Sequence, residues 1–63
     1  MRNIIKQLRK QAGLRQEDMA AQLGVSRQTI IAIENDRYSP TLELAMKLAK
    51  LFEKRVEDIF FPE

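Results

Sequence analysis

QEDMAAQLGVSRQTIIAIEN, residues 16–35, is the stretch whose reading decides the fold. Gln16 opens a short helix on which Met19, Ala20 and Leu23 share one face. Gly24 is the turn, because the chain reverses most easily at a residue that accepts a left-handed backbone. After Val25, Ser26 is a ready N-cap, and Ile30 and Ile33 form the inward face of a second helix from about Arg27 to Glu34. Helices cross this closely only where a small side chain sits at the contact, and Ala20 is that side chain. The result reads as a helix-turn-helix, a unit whose second helix is shaped to enter the DNA major groove.

Working outward, the pattern stays helical. Upstream, Ile4, Ile5, Leu8 and Ala12 fall at helical spacing, which predicts a helix from about Asn3 to Gln11 stopped by Gly13. Glu17 and Asp18 stand in the first turn of the next helix, where its dipole favours negative charge. Downstream, Asn35-Asp36-Arg37-Tyr38-Ser39-Pro40 is a loop rich in turn formers. A fourth helix follows from near Thr41 to about Phe52, capped by either Ser39 or Thr41. Its wide apolar face of Leu42, Leu44, Ala45, Leu48, Ala49, Leu51 and Phe52 suits a helix packed on several others. A last helical turn, about Glu57 to Phe61, comes after the charged bend Glu53-Lys54-Arg55. With no repeats, low-complexity segments or strand-like alternation, the expected fold is all-α, a compact five-helix bundle in a single domain spanning residues 1–63.

Composition narrows the function classes. A 63-residue chain has a marginal core, yet the absence of cysteine and histidine excludes disulfide staples and the usual zinc sites. Helix packing, with a partner subunit where one is present, has to supply the stability. No apolar run approaches the ~20 residues of a membrane span, and Met1 leads directly into an amphipathic pattern. The chain is therefore expected to be soluble and cytoplasmic, with no membrane partner. The net charge is only +2, but residues 1–37 hold seven Lys/Arg against four Asp/Glu, and residues 38–63 hold four against five. The positive half contains the helix-turn-helix, as a DNA-facing surface requires and as an ordinary solvated surface also allows. With no histidine, no cysteine and no hydroxyl beside a base, an enzyme is not expected, and neither is a cofactor.

Gln16, Ala20, Gly24-Val25, Ser26-Arg27-Gln28-Thr29-Ile30 and Ile33-Glu34-Asn35 together resemble the signature of the phage-repressor-like (Cro/C1, or XRE) helix-turn-helix family. Pro40-Thr41-Leu42-Glu43-Leu44, Leu48-Ala49-Lys50 and Val56-Glu57-Asp58-Ile59-Phe60 are similar to that family's fourth and fifth helices, so the resemblance covers nearly the whole chain. It implies a sequence-specific regulator of bacteria, archaea or phage that binds double-stranded DNA, usually as a homodimer. It also implies a DNA-phosphate contact for Gln16, groove-facing positions for Arg27, Gln28, Thr29 and Ala32, and places near the backbone for Asn35, Arg37 and the loop to Ser39. It further brings Arg9 within reach of Glu34, a pair that serves orientation more than net stability. The sequence departs from the pattern in four places: Arg15 replaces a common Ser/Thr N-cap, Asp36 and Glu53 each replace a frequent glycine, and the adjacent Ile31-Ala32 replaces polar or basic residues. The lost cap costs about 1 kcal/mol.

Residue chemistry sharpens these roles. The Gln28 amide offers a donor and an acceptor in one plane, matching the N6 and N7 edge of adenine. Arg27 grips either guanine or a phosphate. Thr29 offers a methyl to thymine or a hydroxyl to the backbone, or is an ordinary helix residue. Gln16 sits at a helix N-terminus whose free amides attract anions. Ile31 is expected on the outer side and unusually exposed, for thymine methyls, an edge of the first helix, or a protein interface. Pairing of two copies is expected at the C-terminal side, through Phe52, Phe60 and Phe61. Two functions remain open: a DNA-binding transcriptional regulator, or an antitoxin-like protein-interaction domain with weak DNA selectivity.

Overall fold

Hydroxyl caps start two of the helices. Ser26 Oγ accepts the Thr29 backbone N–H at 3.1 Å and Thr41 Oγ1 accepts that of Leu44 at 3.2 Å, so Thr41 rather than Ser39 caps the fourth helix. The computed structural model describes residues 1–62; Glu63, counted in the expected domain, lies outside the described residues. Its helices are α1 (Ile5–Gln11), α2 (Gln16–Leu23), α3 (Arg27–Glu34), α4 (Leu42–Phe52) and α5 (Val56–Ile59), with short strands β1 (Arg2–Asn3) and β2 (Phe60–Phe61). The mainly helical fold is as the sequence predicts.

The strand pair is not. Arg2 lies opposite Phe61 and Asn3 opposite Phe60 in an antiparallel register, so both the first helix and the last turn are shorter than expected. Asn3 makes the difference. Its Oδ1 accepts the Ile5 N–H at 3.0 Å, turning the chain into α1, while its Nδ2 donates to the Ile33 carbonyl at 2.9 Å and to Asp36 Oδ1 at 3.2 Å. One amide thus ties the N-terminal strand to the end of α3.

Four helices end alike. Gly13, Gly24, Asp36 and Glu53 all have φ between 54° and 73°, and the following residue donates back to the carbonyl five positions earlier, at 2.9–3.1 Å. These are Schellman closures, which need a left-handed residue at the turn. Two of the four are carboxylate residues carrying a backbone that glycine carries without strain.

At the start of α2, Arg15 has the extended backbone of an N-cap but a guanidinium, which cannot accept a hydrogen bond. Asp18 compensates. Its Oδ2 accepts the Arg15 backbone N–H at 2.9 Å and Nε–H at 3.0 Å, so the side chain of the third helical residue does the capping. The guanidinium, followed by that backbone N–H, holds the Asp18 carboxyl below the usual carboxylate range.

Ile5, Met19, Ile30, Ile33, Leu48 and Ile59 are fully buried and draw on all five helices. Ala20 is buried at the α2–α3 crossing, where its small side chain permits close approach. α4 is less one-sided than its sequence suggests: Leu42 is 73% and Met46 58% exposed.

Candidate nucleic-acid interface

The inward direction of α3 is fixed by Ile30 and Ile33, both with no accessible surface. At about 100° per residue, that turns Gln28 and Asn35 to the opposite side, with Ile31 and Ala32 flanking them. Gln28, Arg27 and Asn35 are exposed accordingly, and Thr29 and Ala32 are partly covered. Ile31 is half-buried rather than unusually exposed.

The expected contact residues gather in two shallow concavities. Ser26, Gln28, Thr29, Ala32, Arg37 and Tyr38 line one, between the start of α3 and the loop beyond it. Arg9, Arg15, Gln16, Glu17 and Arg27 line the other, at the N-terminus of α2. Asn35 lines neither and stands exposed at the C-terminal end of α3. Thr29 has a structural duty besides, its Oγ1 lying 3.0 Å from Ser26 Oγ inside the cap. The loop expected near the DNA backbone puts Tyr38, 43% exposed, on one wall with Gln28 and Arg37.

The cations differ in availability. Arg15 is engaged by Asp18 and Glu17. Arg27 and Arg37 form no side-chain hydrogen bond or ion pair among the described residues, which leaves both guanidiniums for an external anion. They bracket α3, one at its start and one beyond its end.

Behind this surface lies a buried polar network. Arg9 Nε donates to Glu34 Oε2 at 2.6 Å and Nη2 to Oε1 at 3.2 Å, while Nη1 donates to the Leu14 carbonyl at 3.0 Å. The side chains are only 10% and 3% accessible, so this pair, unlike the surface ones, stays screened from salt. The hydrogen bond to Glu34 and its charge hold the Arg9 guanidinium protonated against the cost of burial. Gln16 joins the network: its Nε2 donates to Glu34 Oε1 at 3.2 Å. One amide hydrogen is thereby fixed, and the second remains for a ligand at the helix N-terminus. No buried side-chain polar atom among the described residues lacks a partner.

A helix-turn-helix with a capped, outward-facing second helix between two arginines unengaged among the described residues defines a class, and the sequence agrees. The profile of the helix-turn-helix family, of Cro/C1 type, matches residues 5–59, and the chain belongs to that family. It is 56% identical over 63 residues to an HTH-type transcriptional regulator of Methanocaldococcus jannaschii, covering 100% of this chain and 96% of the relative. A relative of the same description from Methanothermobacter thermautotrophicus is 52% identical over 61 residues, covering 95% and 88%. The Bacillus subtilis HTH-type transcriptional regulator YgzD is 44% identical over 63 residues, covering 100% and 96%.

Proposed function

We propose that this chain is a DNA-binding transcriptional regulator that reads sequence by laying α3 in the major groove of double-stranded DNA. One observation carries the reading: Gln28 stands exposed on the outward face of α3, a helix that Arg27 opens and Arg37 follows, neither guanidinium being engaged among the described residues. A planar amide on a helix with a cation at its start and another beyond its end suits a base edge between two phosphate strands. In this reading Gln28 recognises adenine, and Arg27 contacts guanine or phosphate at the start of the helix. Thr29 and Ala32 border the groove, and Asn35 and Arg37 meet the backbone. Gln16 offers its remaining amide hydrogen, with the first-turn N–H groups of α2, to one phosphate.

The protein acts as a cytoplasmic homodimer, because one recognition helix spans too few base pairs to select a site among genomic competitors. Of the aromatic residues expected to pair, Phe60 is buried at 6% exposure and Phe52 packs on the core, so Phe61 at 39% is the one with surface to offer. Leu42 and Met46 add apolar surface on α4.

Titrating the protein into a mixture of genomic DNA fragments at several salt concentrations tests the function. A regulator retains particular fragments as salt rises, while affinity for the rest falls steeply. An antitoxin-like interaction domain would bind all fragments weakly and evenly.

A further inference from the structure

Ile31 and Ala32 lie on the outward side of α3, each half-buried, and what they leave uncovered is an apolar edge where a helix meeting only water carries polar side chains. The inward stripe is complete without them, since Ile30 and Ile33 are fully buried. Among the described residues, neither Ile31 nor Ala32 belongs to the partly buried apolar side chains that pack on the core. Helical phase sets them on either side of Gln28, about one turn further along. Ala32 shares a concavity with Gln28 and Arg37. The recognition face is therefore a planar amide, then a hydrocarbon edge, with Arg27 and Arg37, unengaged among the described residues, at the start of the helix and beyond its end.

The major groove has matching chemistry. Its rims are anionic phosphates, and the apolar group its floor presents is the C5-methyl of thymine. Adenine offers its N6 and N7 in the same groove, so consecutive A·T pairs present both an amide-matching edge and a methyl. A protein partner for this patch would have to be apolar at the centre and acidic at both ends. DNA has that distribution wherever thymine occurs.

We propose that Ile31 and Ala32 bind thymine methyl groups, making the protein selective for thymine at base pairs beside the one read by Gln28. This rests on the DNA-reading function above.

Uracil in place of thymine removes the methyl and leaves base pairing intact. The test takes the duplex enriched from a random library and replaces each thymine in turn with uracil. Binding is then compared for the wild-type protein, Ile31→Val and Ile31→Ala, with a thermal melt of each to verify folding. We expect the wild type to lose roughly four-fold in affinity per contacted methyl, the size set by burying one such group. Ile31→Ala should bind the thymine duplex less tightly by a similar factor and be indifferent to uracil at that position. Ile31→Val should fall between, which keeps the test decisive if the alanine variant unfolds. Equal wild-type affinity for both duplexes overturns the proposal. So does an Ile31 variant that weakens binding equally on both, which would assign the side chain to protein contact or packing. A library that enriches nothing overturns the DNA-reading function itself, whereas an enriched duplex insensitive to uracil overturns only the methyl contact.

Discussion

At the residue scale, Gln28 and Gln16 separate reading from gripping. Gln28→Ala should weaken the preferred site by about 1–3 kcal/mol and relax selectivity at one base position. Gln16→Ala should weaken all duplexes alike, since a phosphate contact carries no base information. Competition binding against single-base variants distinguishes them, and equal loss of selectivity would refute the assignment. Arg9→Ala strands the Glu34 carboxylate in a nearly dry site and should cost about 3 kcal/mol in thermal unfolding. Arg9→Met/Glu34→Leu should recover part of that, and a double-mutant cycle without coupling would contradict the direct pairing. Arg9–Glu34 was legible only through the family resemblance, because charges 25 residues apart carry no local signal. That Gln16 also bonds Glu34 was not legible at all, since it depends on how α2 crosses α3.

At the scale of elements, turns and caps make separate predictions. Glu53 holds a left-handed backbone and its side chain makes no hydrogen bond among the described residues, so Glu53→Gly should raise stability by about 1 kcal/mol. Asp36→Gly should gain less, because aspartate tolerates that backbone better and its Oδ1 accepts Asn3. Denaturant unfolding of both variants checks the order. Asp18 predicts a pH effect: its carboxyl is lowered in the folded state, so its stabilisation is present above the ordinary carboxylate range and lost as pH falls through the lowered value. Asp18→Asn should therefore flatten the decline in melting temperature as pH falls through and below the ordinary carboxylate range. Helix positions were readable because period and glycine turns agree at Gly13 and Gly24. The strand pair was not, because two residues per strand are too few to alternate and Asn3 acts through partners 30 and 33 residues away.

At the scale of the molecule, most of the inward residues expected from helical spacing form one core, with Ile30, Ile33, Ala20 and Met19 buried as that spacing requires, whereas Ala12 and Leu42 are exposed. Surface roles were harder to read, since exposure depends on which faces the other helices cover: Phe60 is taken into the core while Leu42 and Met46 stay open. Sedimentation on DNA should find two protomers per site; one protomer would contradict the dimer. The central claim, that α3 reads a DNA sequence, is tested most directly by selecting binding sites from a random duplex library. The account predicts an enriched motif containing A·T pairs, repeated with two-fold symmetry at half-sites about 34 Å apart, one helical turn. A library recovered without enrichment, at any salt concentration where the protein binds, would contradict it.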